Sequence, residues 1–101
     1  MNTVKLAQDF DFEGSIPLWQ IDPSGLKIIR EFVFQDFEQA FGFMTLSAQY
    51  AEKINHHPDW SNSWNRVIVA LSTHSAKALT QLDIELARAM DQFALEIQRK
   101  N

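Results

Sequence analysis

Cysteine is absent from these 101 residues. That excludes disulfides, a thiol nucleophile and thiolate metal sites, and it fits a reducing compartment. Basic runs are missing too. The nine Lys and Arg are scattered and outnumbered by 13 Asp and Glu, for a formal charge of −4. A nucleic-acid surface needs a basic patch, so no nucleic acid is expected as a partner. No stretch approaches the ~20 apolar residues of a membrane span. The opening residues Met1 to Leu6 carry no apolar core of signal-peptide length. The expectation is a cytoplasmic chain with no membrane partner. No repeat, low-complexity tract or internal linker interrupts it. What remains is 46% hydrophobic and 22% charged, the make-up of a soluble globular protein. At this length residues 1–101 form one domain with a modest core, near the size at which association aids stability.

Residues 1–15 show little periodicity and read as an irregular arm that docks its phenylalanines. Ile16 to Asp22 reads as a short strand anchored by Trp19. Asp22-Pro23-Ser24-Gly25 has turn chemistry, with proline pre-setting φ at the second position and glycine tolerating φ > 0 at the fourth. Leu26 to Phe34 alternates, with Leu26, Ile28, Phe32 and Phe34 on one face around Arg30. That is a half-buried strand, paired with its predecessor as a hairpin. At Asp36 the period changes. Asp36 and Gln39 have the spacing of a capping box, and Phe37, Ala40, Phe41, Met44, Ala48 and Ala51 recur as one helical stripe ending near Ile54. A stripe of this kind is read as core rather than as an aromatic ligand box. Pro58 to Trp60 reads as a short strand, Ser61 to Ser63 as a turn, and Asn65 to Ser72 as a strand with Val67, Val69 and Leu71 on one side and Arg66, Ile68, Ala70 and Ser72 on the other. Thr80 and Asp83 open a second helix whose buried stripe is Leu82, Leu86, Met90, Phe93, Ala94 and Ile97. The order β-β-α-β-β-α predicts an α+β fold: a four-stranded antiparallel sheet with two or three helices packed on one face.

All three histidines fall in two places: Glu52-Lys53-Ile54-Asn55-His56-His57-Pro58-Asp59-Trp60, and Ser72-Thr73-His74. Imidazole is the side chain that titrates near neutrality. Glu52 stands one helical turn before His56, Pro58 stiffens the chain just after the pair, and Trp60 offers an aromatic wall. Together they make a candidate small-molecule site. Three histidines in a chain this long are also unremarkable, and adjacent side chains usually diverge. Glu52 reads equally as a solvated helix face, Asp83 as a helix cap, and Trp60 as core. Three histidines with Glu52 supply zinc-ligand types as well, but adjacent residues reach one ion awkwardly, so no metal is expected.

The ordered set Glu52-x-x-x-His56-His57-Pro58-Asp59-Trp60, Trp64, Leu71-Ser72-Thr73-His74 and Asp83 resembles the pterin-4a-carbinolamine dehydratases. The likeness extends through Arg30-x-Phe-x-Phe34, Asp36-Phe37 and Ala40-Phe41-Gly42-Phe43-Met44, covering about residues 19 to 95. It implies loss of water from a 4a-hydroxytetrahydropterin to give quinonoid dihydropterin, recycling the pterin of an aromatic amino acid hydroxylase. It implies no bound cofactor, and a homodimer or a homotetramer built from dimers. His56, His57 and His74 match the catalytic histidines. Asn55 to His57 and Ser72, Thr73, His74 and Ser75 match the pterin-binding segments, with Glu52, Pro58, Trp60 and Asp83 as further candidate contacts. The family starts with a helix, whereas Asp9 to Pro17 reads poorly as one. In animals the family also serves as a dimerisation cofactor of a homeodomain transcription factor, so the alternative is a non-catalytic protein-binding module.

Overall fold

A computed structural model describes residues 5–99. The order is α1 (Phe12–Ser15), β1 (Gln20–Ile21), β2 (Ile28–Val33), α2 (Phe37–Ile54), β3 (Asp59–Ser63), β4 (Arg66–Leu71), a 3₁₀ turn over His74–Ala76, and α3 (Gln81–Arg99). The strands form one antiparallel sheet in the order β1-β2-β4-β3. The expected α+β sheet with helices on one face is what the chain builds. Residues 1–4 of the expected arm lie outside the described residues. Among the described residues no helix is long and apolar enough to cross a membrane.

Alternation decides which sheet face is covered. Ile28 and Phe32 of β2 and Val67, Val69 and Leu71 of β4 are buried, while their neighbours Val33 and Ile68 stay exposed. On the covered face Phe43 of α2 packs with its ring centroid 4.5 Å from Phe32 and 5.0 Å from Phe34. Ile84, Leu86 and Met90 of α3 complete the same core. Arg30 also points to this face. Its guanidinium lies 4.1 Å from the Phe32 ring centroid, and Nη1 reaches Asp91 Oδ1 on α3 at 2.5 Å. Trp19 Nε1 donates to that same oxygen at 2.8 Å, so one carboxylate ties β2, α3 and the chain before β1.

Several boundaries differ from the sequence reading, each for a local reason. The strand expected over 16–22 shrinks to Gln20–Ile21 because Ile16 N–H closes α1 on Phe12 O and Trp19 N–H turns back onto Ile16 O. Trp19 is buried as expected. The arm is not wholly irregular: Asp11 accepts from Gly14 N–H and starts the single turn of α1. Leu26, placed inward by alternation, sits in the turn and is exposed, its N–H held by Ser24 Oγ. Gly25 takes φ 75 there, as the turn requires.

The buried stripe of α2 is rotated from the expected one. Ala40, Phe43, Ser47 and Ala51 face inward, whereas Phe37 and Phe41 are exposed. The capping box is also relayed by one residue: Asp36 accepts from Gln39 N–H, but Gln39 Oε1 accepts from Gln35 N–H. In α3 the inward line adds Ile84 and Ala87, while Leu82, Phe93 and Ile97 are half-buried. The turn expected at Ser61–Ser63 is strand. The hairpin bends instead at Trp64 and Asn65, with Asn62 Nδ2 donating to the carbonyls of Trp64 and Arg66.

The rotated stripe is checkable by urea unfolding. Phe43→Ala should cost about 3–5 kcal/mol through cavity formation, and Phe41→Ala less than about 1 kcal/mol; the reverse ranking would contradict this orientation.

Candidate functional site

The end of α2 aims the histidine pair. Asn55 adopts φ 54, the left-handed conformation in which asparagine is among the better-tolerated non-glycine residues. Its N–H bonds Glu52 O and the N–H of His56 bonds Ala51 O at 3.0 Å. This is the paired closure of a helix terminus by a left-handed residue. The chain leaves the helix sharply, with His56 buried and His57 exposed directly after it. Pro58 then leads into the edge strand β3. The third histidine begins the 3₁₀ turn just after β4, so antiparallel pairing of β3 with β4 brings the two segments to one end of the sheet.

There a hollow of about 230 Å³ is lined by Asn55, His56, His57, Asp59, Ser72, Thr73, His74 and Ser75. All three imidazoles share it. Asp59 was not among the candidates read from sequence. Its signal was present, since it opens an edge strand directly after Pro58 with Trp60 on the opposite face. Pro58, Trp60, Glu52 and Asp83 do not line the hollow. Trp60 pairs with Val69 and turns to the core face, where it packs against the buried cluster. The aromatic wall expected from it is therefore not part of this hollow.

Glu52 and Asp83 act through the histidines instead. His57 Nε2 lies 2.6 Å from Glu52 Oε2, with side-chain exposures of 54% and 77%. An ion pair so open to water adds little stability, but it restricts the ring. His56 is held differently. Its Nε2 lies 2.6 Å from Asp83 Oδ1, and Asp83 is 0% exposed. A carboxylate accepts, so the His56 hydrogen sits on Nε2. Asp83 Oδ2 accepts from Thr73 Oγ1 at 2.8 Å and from Thr80 N–H at 3.0 Å. With the Thr73 proton committed there, Thr80 Oγ1 is left to donate to Thr73 Oγ1 at 2.7 Å. Asp83 thus caps α3, as the sequence suggests, and also fixes His56 and the strand that carries Ser72 to His74. Among the described residues no three His, Asp or Glu side chains cluster as a metal site.

A second, larger hollow of about 580 Å³ adjoins the first and shares Ser72, Thr73 and His74 with it.

Comparison with known proteins fits this geometry. The sequence profile described as pterin 4 alpha carbinolamine dehydratase matches residues 3–93. This chain belongs to the pterin 4 alpha carbinolamine dehydratase family. A Bradyrhizobium diazoefficiens protein named as a candidate pterin-4-alpha-carbinolamine dehydratase is 55% identical over 82 residues, 80% of this chain and 81% of its own. One of the same name from Bordetella avium is 46% identical over 83 residues, covering 82% and 77%. The crystal structure of a Brucella melitensis protein, described as a transcriptional coactivator/pterin dehydratase, superposes with a TM-score of 0.82 at 43% identity. It covers 89% of this chain and 98% of that one. A pterin dehydratase-like protein described as a RuBisCO assembly factor shares the fold at TM-score 0.67, with 19% identity.

Replacing Asp83 by Ala in this dehydratase-family chain would strand three donors in the interior. The expected loss is about 3 kcal/mol or more by denaturant titration. A loss under about 1 kcal/mol would show that the carboxylate does not hold the three segments.

Proposed function

We propose that this protein removes water from a 4a-hydroxytetrahydropterin, leaving quinonoid dihydropterin. The observation that carries the reading is the convergence of His56, His57 and His74 on one hollow, in a chain of this family. In the reaction the C4a–O bond breaks, the hydroxyl leaves with an added proton as water, and N5 gives up its hydrogen as the C4a–N5 double bond forms. One group must therefore donate a proton and another accept one. Imidazole as a side-chain type, with an unperturbed value of about 6.5, suits both tasks near neutral pH, and each positioned acid or base contributes roughly 10²–10⁴-fold.

His57 and His74 are the exposed pair and take these two tasks. Glu52 orients His57. His56, buried and tied to Asp83, forms the fixed side of the hollow and assists. Asn55, Ser72, Ser75 and Asp59 supply polar groups for the edges of the ring, and Thr73 holds the wall in place through Asp83. Pro58 contributes by shaping the chain rather than by contact. Neither a metal nor a bound cofactor enters this scheme.

The substrate arises when a pterin-dependent hydroxylase turns over, so an aromatic amino acid hydroxylase is the proposed upstream partner. A dimer, or a tetramer built from two dimers, is the proposed assembly, with the exposed Phe37 and Phe41 pair on α2, 5.8 Å between centroids, among the surfaces open to it. The competing reading is a non-catalytic binding module. It draws on the double description of the Brucella protein.

Dehydration of a freshly generated 4a-hydroxytetrahydropterin, followed by ultraviolet absorbance, tests the reading. His57→Ala and His74→Ala should each slow the reaction at least about tenfold with the fold intact by circular dichroism. His56→Ala should also unsettle the protein, because it removes the partner of a buried carboxylate. Wild-type protein without activity above the uncatalysed rate would leave the binding-module reading in its place.

A further inference from the structure

In a pterin, C6 is bonded directly to N5. His74 is the histidine that lines both hollows; taking it as the group that faces N5 sends the C6 substituent past that residue. What lies on the far side of His74 is the larger hollow, which shares the Ser72–His74 wall and runs between the 22–27 turn and the segment from His74 to Ala78. Nothing in the acid–base scheme uses it.

Its charged lining is Asp22, Lys27 and Lys77. Asp22 Oδ2 accepts from Ser24 Oγ at 2.5 Å and from Ser24 N–H at 3.0 Å. These bonds, with Lys27 nearby, hold its carboxyl below the usual carboxylate range. Lys77 has no carboxylate partner among the described residues. The hollow thus carries one more positive than negative charge, in a chain whose formal charge is −4. Lys77 sits at φ 52, a conformation that glycine or asparagine takes at less cost. Its N–H bonds His74 O at 3.1 Å, so the lysine and the third histidine are the two ends of one rigid turn.

We propose that this second hollow receives the C6 substituent of the pterin, and that Lys77 and Lys27 favour substrates whose substituent bears an anion, a phosphate or a carboxylate. The proposal rests on the dehydratase reading for the placement of the ring. Because both ammonium groups are open to solvent, the preference is modest and sensitive to salt.

Calorimetric binding of stable pterins tests it, using 6-hydroxymethylpterin, its phosphate ester and 6-carboxypterin at low ionic strength. The wild type should bind at least one anionic ligand about fivefold more tightly than the neutral one, and the two anions show which group fits. The ratio should fall towards one in Lys27→Gln/Lys77→Gly and persist in Lys77→Arg. Equal affinities in the wild type, or a ratio that survives in the double variant, would overturn the proposal. So would tighter binding of a neutral dihydroxypropyl pterin than of both anions. Dehydration of the 6-methyl 4a-hydroxytetrahydropterin is measured in parallel. Turnover without anion preference removes the second hollow alone. Anion preference without turnover removes the dehydratase reading and keeps the subsite, and failure of every pterin to bind removes both.

Discussion

One buried carboxylate organises the functional end of this protein. Asp83 has no contact with solvent, yet it meets three donors from three segments: a histidine just past α2, a threonine just past β4, and the backbone at the start of α3. A buried carboxylate is tolerated only when its lone pairs are occupied. The same requirement fixes the relative positions of everything bonded to it. His56 cannot swing, Thr73 cannot slide, and α3 cannot begin one residue later without leaving a charge or a donor unsatisfied. Asp91 plays a parallel part a little over two turns along α3, where Arg30 and Trp19 converge on one oxygen. Two acids on one helix thus lock it to the sheet and to the histidine loop.

The sheet supplies the rest of the geometry. Antiparallel pairing of β3 and β4 puts the start of one beside the end of the other, and both polar segments lie at that edge. Rigid strands feed short loops, so the side chains there are presented by elements that do not themselves need to move. The three imidazoles differ in freedom as a result. One is buried on a carboxylate, one is paired at the surface, and one starts a short turn.

The two adjoining hollows differ in size and charge. The smaller is walled by imidazoles and short polar groups; the larger has lysines on opposite rims. Their shared wall is the Ser72–His74 segment. Its position is set from below by Asp83, so the buried carboxylate governs both.

Much was fixed by local sequence. Alternation grouped Ile28 with Phe32 on one face of β2 and Val67, Val69 and Leu71 on one face of β4, because a strand's faces follow from period two, and these are the faces the helices cover. The Asp36 cap, the Gly25 turn and the end of α2 at Ile54 were legible because each rests on neighbouring residues alone. The candidate residues around the histidines came from the likeness of their ordered set to the dehydratase family, not from spacing alone. Tertiary structure decided the remainder. Helical periodicity allowed adjacent stripes on α2, and only the position of the sheet and α3 chose Phe43 over Phe41. Trp60 could have walled the site or joined the core until pairing with β4 settled its face. No local pattern could show that Asp83 reaches back 27 residues to His56, since contacts so distant in sequence exist only once the chain has folded.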